Sequence, residues 1–239
     1  MSLTRRRRLG VALSALLALG ATLVGIVALG GTSSPTTPAG ATVRPAVRSA
    51  LAPPPPLGSR TPNLSAAPFA VPVVLDIPRI HVVSRVLSVG MTSAHVMAAP
   101  EGGATSPYWG DTFWYRGSSV PGAVGTATIA GHIDDRYGRY AVFGLLSTLR
   151  RGDLIVIHFT QRHVNERFVV TATHDYTLAQ TTTRPVLNLI YGTGPPAGRA
   201  PAPSADGLAH LSLVTCAGSW DYALATHNER LVVSAVRVR

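Results

Sequence analysis

The sequence predicts an all-β domain, a closed or nearly closed β-barrel with little helix, preceded by a membrane-spanning segment. The domain prediction depends on short runs of β-branched residues that alternate with turn residues from residue 72 onward. The membrane prediction depends on one uncharged run of 23 residues, 9–31, that follows four consecutive arginines. Between these two parts, residues 32–71 have the composition of a linker.

The N-terminal segment divides into a basic head, residues 1–8, and the apolar run, residues 9–31. About 20 apolar residues in a helix span the hydrocarbon layer of a bilayer, and arginines stay on its cytoplasmic side. A cleaved signal peptide begins in the same way, but its apolar region has only about 7–15 residues. We therefore expect an uncleaved single-pass anchor in the cell membrane, with the rest of the chain outside the cytoplasm. A cleaved signal is the alternative.

The linker, residues 32–71, is rich in Pro, Ala, Ser and Thr and contains the run Pro53–Pro56. Proline cannot donate a hydrogen bond to a strand or helix, and scattered apolar residues do not offset the entropy cost of ordering. We expect a disordered tether that does not pack on the domain after it.

The domain itself, residues 72–239, contains seven runs with strand character: Val73–Ile77, His81–Val89, Thr126–Ile129, Asp153–Phe159, Glu166–His174, His210–Thr215 and Arg230–Arg237. Only Tyr140–Arg150 has the apolar spacing of a short amphipathic helix. Gly192–Gly207 is a long loop rich in Pro and Gly, and such loops are often functional. Seven or eight short strands with so little helix favour a closed barrel.

The net charge of +10 is distributed unevenly along the chain. Residues 1–71 hold seven arginines and no acid, whereas residues 72–239 hold fourteen arginines and eleven acids, a net charge of +3. A nucleic-acid-binding domain concentrates basic side chains on one face, and here they are interleaved with acids. We therefore expect no nucleic acid among the partners.

Cys216 is the only cysteine of the chain. One cysteine forms neither an internal disulfide nor a multi-cysteine metal site. A lone cysteine is most often a small buried hydrophobic residue, so a chemical role has to be argued from its surroundings.

Three signatures follow one another along the chain in the order His, Cys, Arg. The run Thr128–Asp134 leads through a glycine to His132, and Leu211–Cys216 is a strand that we expect to end on the cysteine. Arg230 opens the last strand, fourteen residues after the cysteine.

These three residue types together can perform acyl transfer. A thiolate is the nucleophile, and a nearby imidazolium lowers the pKa of the thiol and protonates the leaving amine. A guanidinium, with its fork of donors, can stabilise the developing oxyanion or hold the substrate carbonyl. The sequence therefore predicts Cys216 as nucleophile, His132 as acid and base, and Arg230 as oxyanion stabiliser.

In their context these residues resemble the sortase family, most of all the class E and class F sortases of Gram-positive actinobacteria. Ser212–Cys216 resembles the Thr-Leu-x-Thr-Cys motif, with serine in the first place. Ala130–Asp134 resembles the Ala-Gly-His-x-Asp context of the histidine, and Arg230–Val233 resembles the start of the last strand. The segment that begins at Leu75 is also similar, so the resemblance covers about residues 72–239.

The resemblance implies an eight-stranded barrel with one or two short helices and a membrane-anchored cysteine transpeptidase. It implies cleavage of a Leu-Pro-x-Thr-Gly-type sorting signal through a Cys216 thioacyl intermediate, with transfer to an amine from a peptidoglycan precursor. No cofactor or metal ion is expected. We expect substrate contacts from Thr215 and Leu213 of the cysteine motif and from Trp220.

Each residue also has a structural alternative. His132 can be a turn histidine, and with Asp134 and Asp135 it has the spacing of a weak metal site, although either aspartate can instead orient the imidazole. Arg230 can be a surface ion-pair partner. His227, near Cys216 in the sequence, is the second candidate for the base.

Two other functions compete with the transpeptidase. One is another cysteine hydrolase of the cell envelope; papain-like peptidases, however, place cysteine before histidine, and the Ser-His-Gly-Cys motif of L,D-transpeptidases is absent. The other is a non-catalytic β-barrel that binds envelope peptides, in which Cys216 is incidental.

Overall fold

The computed structural model describes residues 62–192 and 202–239, which contain a closed barrel of eight strands. The strands join in the order β1-β2-β3-β4-β7-β8-β6-β5. They are β1 Phe69–Ile77, β2 Val82–Val89, β3 Thr112–Tyr115, β4 Gly125–Ala130, β5 Leu154–Phe159, β6 Val164–Thr177, β7 Ala209–Asp221 and β8 Thr226–Val238. Two short helices, α1 Leu178–Thr181 and α2 Arg184–Tyr191, follow β6. The prediction of an eight-stranded all-β barrel with little helix is confirmed.

The barrel interior is filled by alternate residues of each strand, as the two-residue period of a strand requires. Leu75, Ile129, Ile157, Phe168 and Leu213 are among the interior side chains, and none of them has exposed surface. At about 25 cal/mol per Å² of buried apolar surface, this single core is the main source of stability.

Two parallel strand pairs, β2–β3 and β4–β7, interrupt an otherwise antiparallel barrel. A parallel pair needs a long crossover connection. Residues 90–111 make the first crossover, and β5, β6, α1 and α2 lie within the second. β3 itself was not predicted, because its four residues are all buried and give no alternation of apolar and polar positions.

The helix predicted over Tyr140–Arg150 is wrong. The structure has turns there and one 3-10 turn, Leu146–Thr148. Phe143, Leu146 and Leu149 enter the core with at most 1% exposure. Their spacing of three residues suits a 3-10 turn, in which side chains at i and i+3 align.

The predicted linker boundary at residue 71 is also wrong, because β1 begins at Phe69 and the residues before it already contact the barrel. Arg116, which is only 7% exposed, donates hydrogen bonds to the carbonyl oxygens of Asn63 and Ala67 at 3.0 Å each. Backbone carbonyls of residues 62–68 thus accept two hydrogen bonds from a buried guanidinium, whose Nε has no partner among the described residues. These bonds offset part of the cost of removing the charge from water.

The predicted anchor, residues 9–31, and the linker up to residue 61 lie outside the described residues. Residues 193–201 of the predicted Pro- and Gly-rich loop do so as well. Within residues 62–192 and 202–239, no helix has the length and apolar character needed to cross a membrane.

Candidate active site

The cysteine lies where β7 loses one of its two neighbours. β4 pairs with β7 up to the contact of Ala130 with Val214, whereas β7 continues to Asp221 beside β8 alone. The strand therefore does not end on the cysteine, as the sequence predicted, but passes through it. Cys216 is held by strand geometry just beyond the point where β4 stops pairing with β7.

Cys216 and Arg230 are direct cross-strand partners on β7 and β8. Val214 and Val232, two residues away on each strand, pack outside the barrel in a cluster with Val186 of α2. Because side chains alternate along a strand, Cys216 and Arg230 project from this same outer face. Both are half-buried.

His132 is fixed beside β7 by the residue before it. Gly131 donates its N–H to the carbonyl oxygen of Val214 at 3.1 Å, and its own carbonyl accepts from Oγ1 of Thr215 at 2.8 Å. The carbonyl oxygen of His132 accepts from the N–H of Phe143 at 2.9 Å. The structure thus brings the backbones of His132, Cys216 and Arg230 to one end of three neighbouring strands.

The imidazole of His132 is bounded by the β2–β3 crossover. Its Nε2 lies 3.0 Å from the carbonyl oxygen of Pro100, and its ring meets Trp109 and Phe113 edge-on at 4.9 and 5.3 Å between centroids. A carbonyl only accepts, so Nε2 carries the proton and Nδ1 is the nitrogen left to act as a base.

The guanidinium of Arg230 folds back along its own strand. Nη1 donates to the carbonyl oxygens of His227 and Glu229 at 2.8 and 2.7 Å, and Nη2 donates to Oγ1 of Thr226 at 3.0 Å. These bonds use three of the five N–H donors and fix the orientation of the group, which leaves two donors for an incoming oxygen.

The sulfur of Cys216 has a mixed electrostatic environment. Burial raises the pKa of the thiol, and the carboxylates of Asp134 and Glu101 act in the same direction, whereas the Arg230 charge and a hydrogen bond from Thr226 oppose them. Burial outweighs the nearby cation, so the pKa of the thiol lies above its ordinary value, which favours the neutral form.

Asp134 does not orient His132, one of the roles considered for it. Its Oδ2 lies 3.2 Å from Nε2 of His227, the residue that was the second candidate for the base. Asp135 instead accepts the backbone N–H groups of Tyr137 and Arg139, and so closes the turn after the histidine.

Of the three predicted substrate contacts, one is accessible. Leu213 has no exposed surface and belongs to the barrel core, and Thr215 is 3% exposed, with its hydroxyl committed to Gly131. These positions assign both residues to the framework of the site rather than to a binding surface. Trp220 is 48% exposed and lies on the β7–β8 hairpin beyond the cysteine.

Comparison with known proteins identifies the family of the chain. The family model described as Sortase domain matches residues 75–238, which is 164 of the 239 residues. The chain belongs to the sortase family. A search of curated protein sequences finds no match.

Several solved structures are similar to the chain. Sortase A from Corynebacterium diphtheriae has 20% identity and a TM-score of 0.46, over 73% of this chain and 63% of that chain. Sortase C-1 from Actinomyces oris has 17% identity and a TM-score of 0.47, over 70% and 73%. Listeria monocytogenes sortase A has 18% identity and a TM-score of 0.45, over 72% and 89%. The chain thus spans less than two thirds of the Corynebacterium protein.

Proposed function

We propose that this protein is a membrane-anchored sortase of class E or F type with its catalytic domain outside the cytoplasm. It cleaves a Leu-Pro-x-Thr-Gly-type sorting signal through a Cys216 thioacyl intermediate and transfers the protein to an amine of the cell wall. The observation that carries the proposal is the cross-strand pair of Cys216 and Arg230 beside the loop of His132, on the outer face of the barrel.

The first half-reaction begins from the neutral thiol. His132 takes the thiol proton at Nδ1 as the sulfur attacks the scissile carbonyl, and the free donors of Arg230 stabilise the tetrahedral oxyanion. The C–N bond then breaks, His132 returns the proton to the leaving amine, and a thioester remains on Cys216.

The second half-reaction reverses these roles. The acceptor amine attacks the thioester, its proton passes to His132, and the new amide forms as the C–S bond breaks. The proton on His132 returns to the sulfur, so the neutral thiol is regenerated. Protons and bonds balance without any cofactor.

Mass spectrometry of the full-length chain in detergent tests the proposal. With a Leu-Pro-x-Thr-Gly peptide and no acceptor amine, we expect a thioacyl adduct on Cys216, and with diglycine added, a ligated product. Cys216→Ala abolishes both, and His132→Ala lowers turnover by at least about 10³-fold, because thiol activation and leaving-group protonation are both lost. Turnover that survives in Cys216→Ala would exclude this mechanism.

A further inference from the structure

An ion pair connects the two parts of the chain that carry the proposed catalytic residues. Asp134 follows His132 by two residues, and His227 lies on β8 three residues before Arg230. Their Oδ2 and Nε2 atoms are 3.2 Å apart, and the two side chains are 30% and 12% exposed. The pair therefore joins the histidine loop to the β7–β8 hairpin, with the imidazole mostly buried and the carboxylate partly exposed.

Both ring nitrogens of His227 face acceptors. Nε2 faces the Asp134 carboxylate, and Nδ1 lies 3.3 Å from the carbonyl oxygen of Gly218. A neutral imidazole has one N–H and can satisfy only one of them, whereas the imidazolium donates to both. Both acceptors thus receive a hydrogen bond only when the His227 imidazole is protonated.

His227 also contacts the hairpin and the arginine. Its ring meets that of Trp220 edge-on at 5.4 Å, and its carbonyl oxygen accepts from Nη1 of Arg230 at 2.8 Å. Movement of His227 would therefore displace the guanidinium opposite Cys216. Among the described residues, Asp134 is the carboxylate paired with this ring.

The charge of Asp134 matters to the sulfur. The groups that act on Cys216 through their charge are Arg230, which favours the thiolate, and Asp134 and Glu101, which disfavour it. A cationic partner on Asp134 offsets one of the two unfavourable charges, because opposite charges a few ångströms apart largely cancel at longer range.

We propose that Asp134 and His227 are a positioning pair for the transpeptidation proposed above. The pair fastens the loop of His132 to the hairpin of Arg230, and its imidazolium neutralises the Asp134 carboxylate. The pair acts through the reacting groups and does not itself touch the substrate.

Two isosteric variants separate this role from a purely structural one. The rate of alkylation by iodoacetamide reports on the thiolate, and Cys216 is the only thiol of the chain. At pH 6, His227→Gln leaves the Asp134 charge without a cation, and we expect alkylation roughly threefold slower than in the wild type. Asp134→Asn removes that charge, and we expect alkylation roughly threefold faster.

Loss of the connection lowers kcat for peptide cleavage in both variants by about tenfold, with little change in KM, because a displaced catalytic group costs rate.

His210→Gln is the matched control. His210 forms the same kind of pair with Asp206, at 2.9 Å, near the start of β7 and about 20 Å along the strand from Cys216. It should change neither rate. Alkylation at pH 6 that moves in the same direction in both variants, or does not move, overturns the proposal, and circular dichroism shows whether each variant is folded. If the wild type cleaves no peptide, the proposed function fails, but the order of the alkylation rates still tests the pair.

Discussion

The two halves of β7 have different surroundings. From Ala209 to Val214 the strand pairs with β4 on one side and β8 on the other, whereas from Thr215 to Asp221 only β8 pairs with it. Leu213, in the first half, has no exposed surface, and Trp220, in the second, is 48% exposed. One strand thus belongs first to the barrel wall and then to a two-stranded hairpin beyond it.

This difference explains how a small barrel can hold the half-buried side chain of the proposed nucleophile in a fixed position. Hydrogen bonds to β4 on one side and β8 on the other fix the direction of the first half of β7. The backbone of Cys216 continues in that direction. The end of the β4–β7 pairing leaves this edge of β7 to the histidine loop. A cysteine two residues earlier would lie beneath α2, where Val214 packs.

The first half should contribute stability. Leu213→Ala removes a side chain from the closed core, and we expect it to lower the free energy of unfolding by about 2–5 kcal/mol. The measurement is urea denaturation of the chain followed by circular dichroism. Peptide cleavage per folded molecule should change little, because Leu213 faces away from the sulfur. A loss below about 1 kcal/mol would mean that the first half of β7 is no more important to the core than the hairpin.

The second half should contribute catalysis. Arg230→Lys keeps the charge but loses the planar fork that bonds three hairpin acceptors. We expect kcat/KM for peptide cleavage to fall by about 10²-fold, as when one oxyanion donor is removed, with the free energy of unfolding within about 1 kcal/mol of the wild type.

Alkylation of Cys216 gives the control for this variant. A lysine leaves a positive charge near the sulfur, so the rate with iodoacetamide should stay close to the wild-type rate. Arg230→Ala should alkylate more slowly, because the Arg230 charge favours the thiolate. Wild-type cleavage by Arg230→Lys would reduce the arginine to an exchangeable charge.

The barrel was predictable because most of its strands have a composition and alternation that are recognisable in the sequence alone. β5, β6 and β8 have the β-branched runs from which they were predicted, although β6 and β8 extend further than expected. The wrong helix at Tyr140–Arg150 has a physical cause. An apolar spacing of three or four residues fits both an α-helix and a 3-10 turn, and only the depth of Phe143 in the core distinguishes them.

The candidate site was predictable only in part. Cys216, His132 and Arg230 stand in recognisable local contexts, but the contacts that orient them join residues distant in sequence. Asp134 and His227 are 93 residues apart, and Pro100 is 32 residues from His132. Such contacts form only when the crossover connections have folded against the barrel. No local sequence pattern predicts them. The burial that raises the pKa of the thiol is likewise a property of the fold and has no local signature in the sequence.

The smallest effect is expected at the exposed face of the hairpin. The indole of Trp220 packs against the His227 ring in a T-shaped arrangement, and 48% of the residue is exposed. Trp220→Ala should raise KM for the peptide about threefold to tenfold, the loss of one aromatic contact, and lower kcat less. Tyr222→Ala is the matched control, because Tyr222 lies on the same hairpin but is 90% exposed. Both variants should unfold within about 0.5 kcal/mol of the wild type, as surface substitutions usually do. Steady-state kinetics with a fluorogenic peptide measure the difference. If the two variants raise KM equally, the hairpin binds through its tip rather than through Trp220; if neither does, the hairpin positions Arg230 without contacting the peptide.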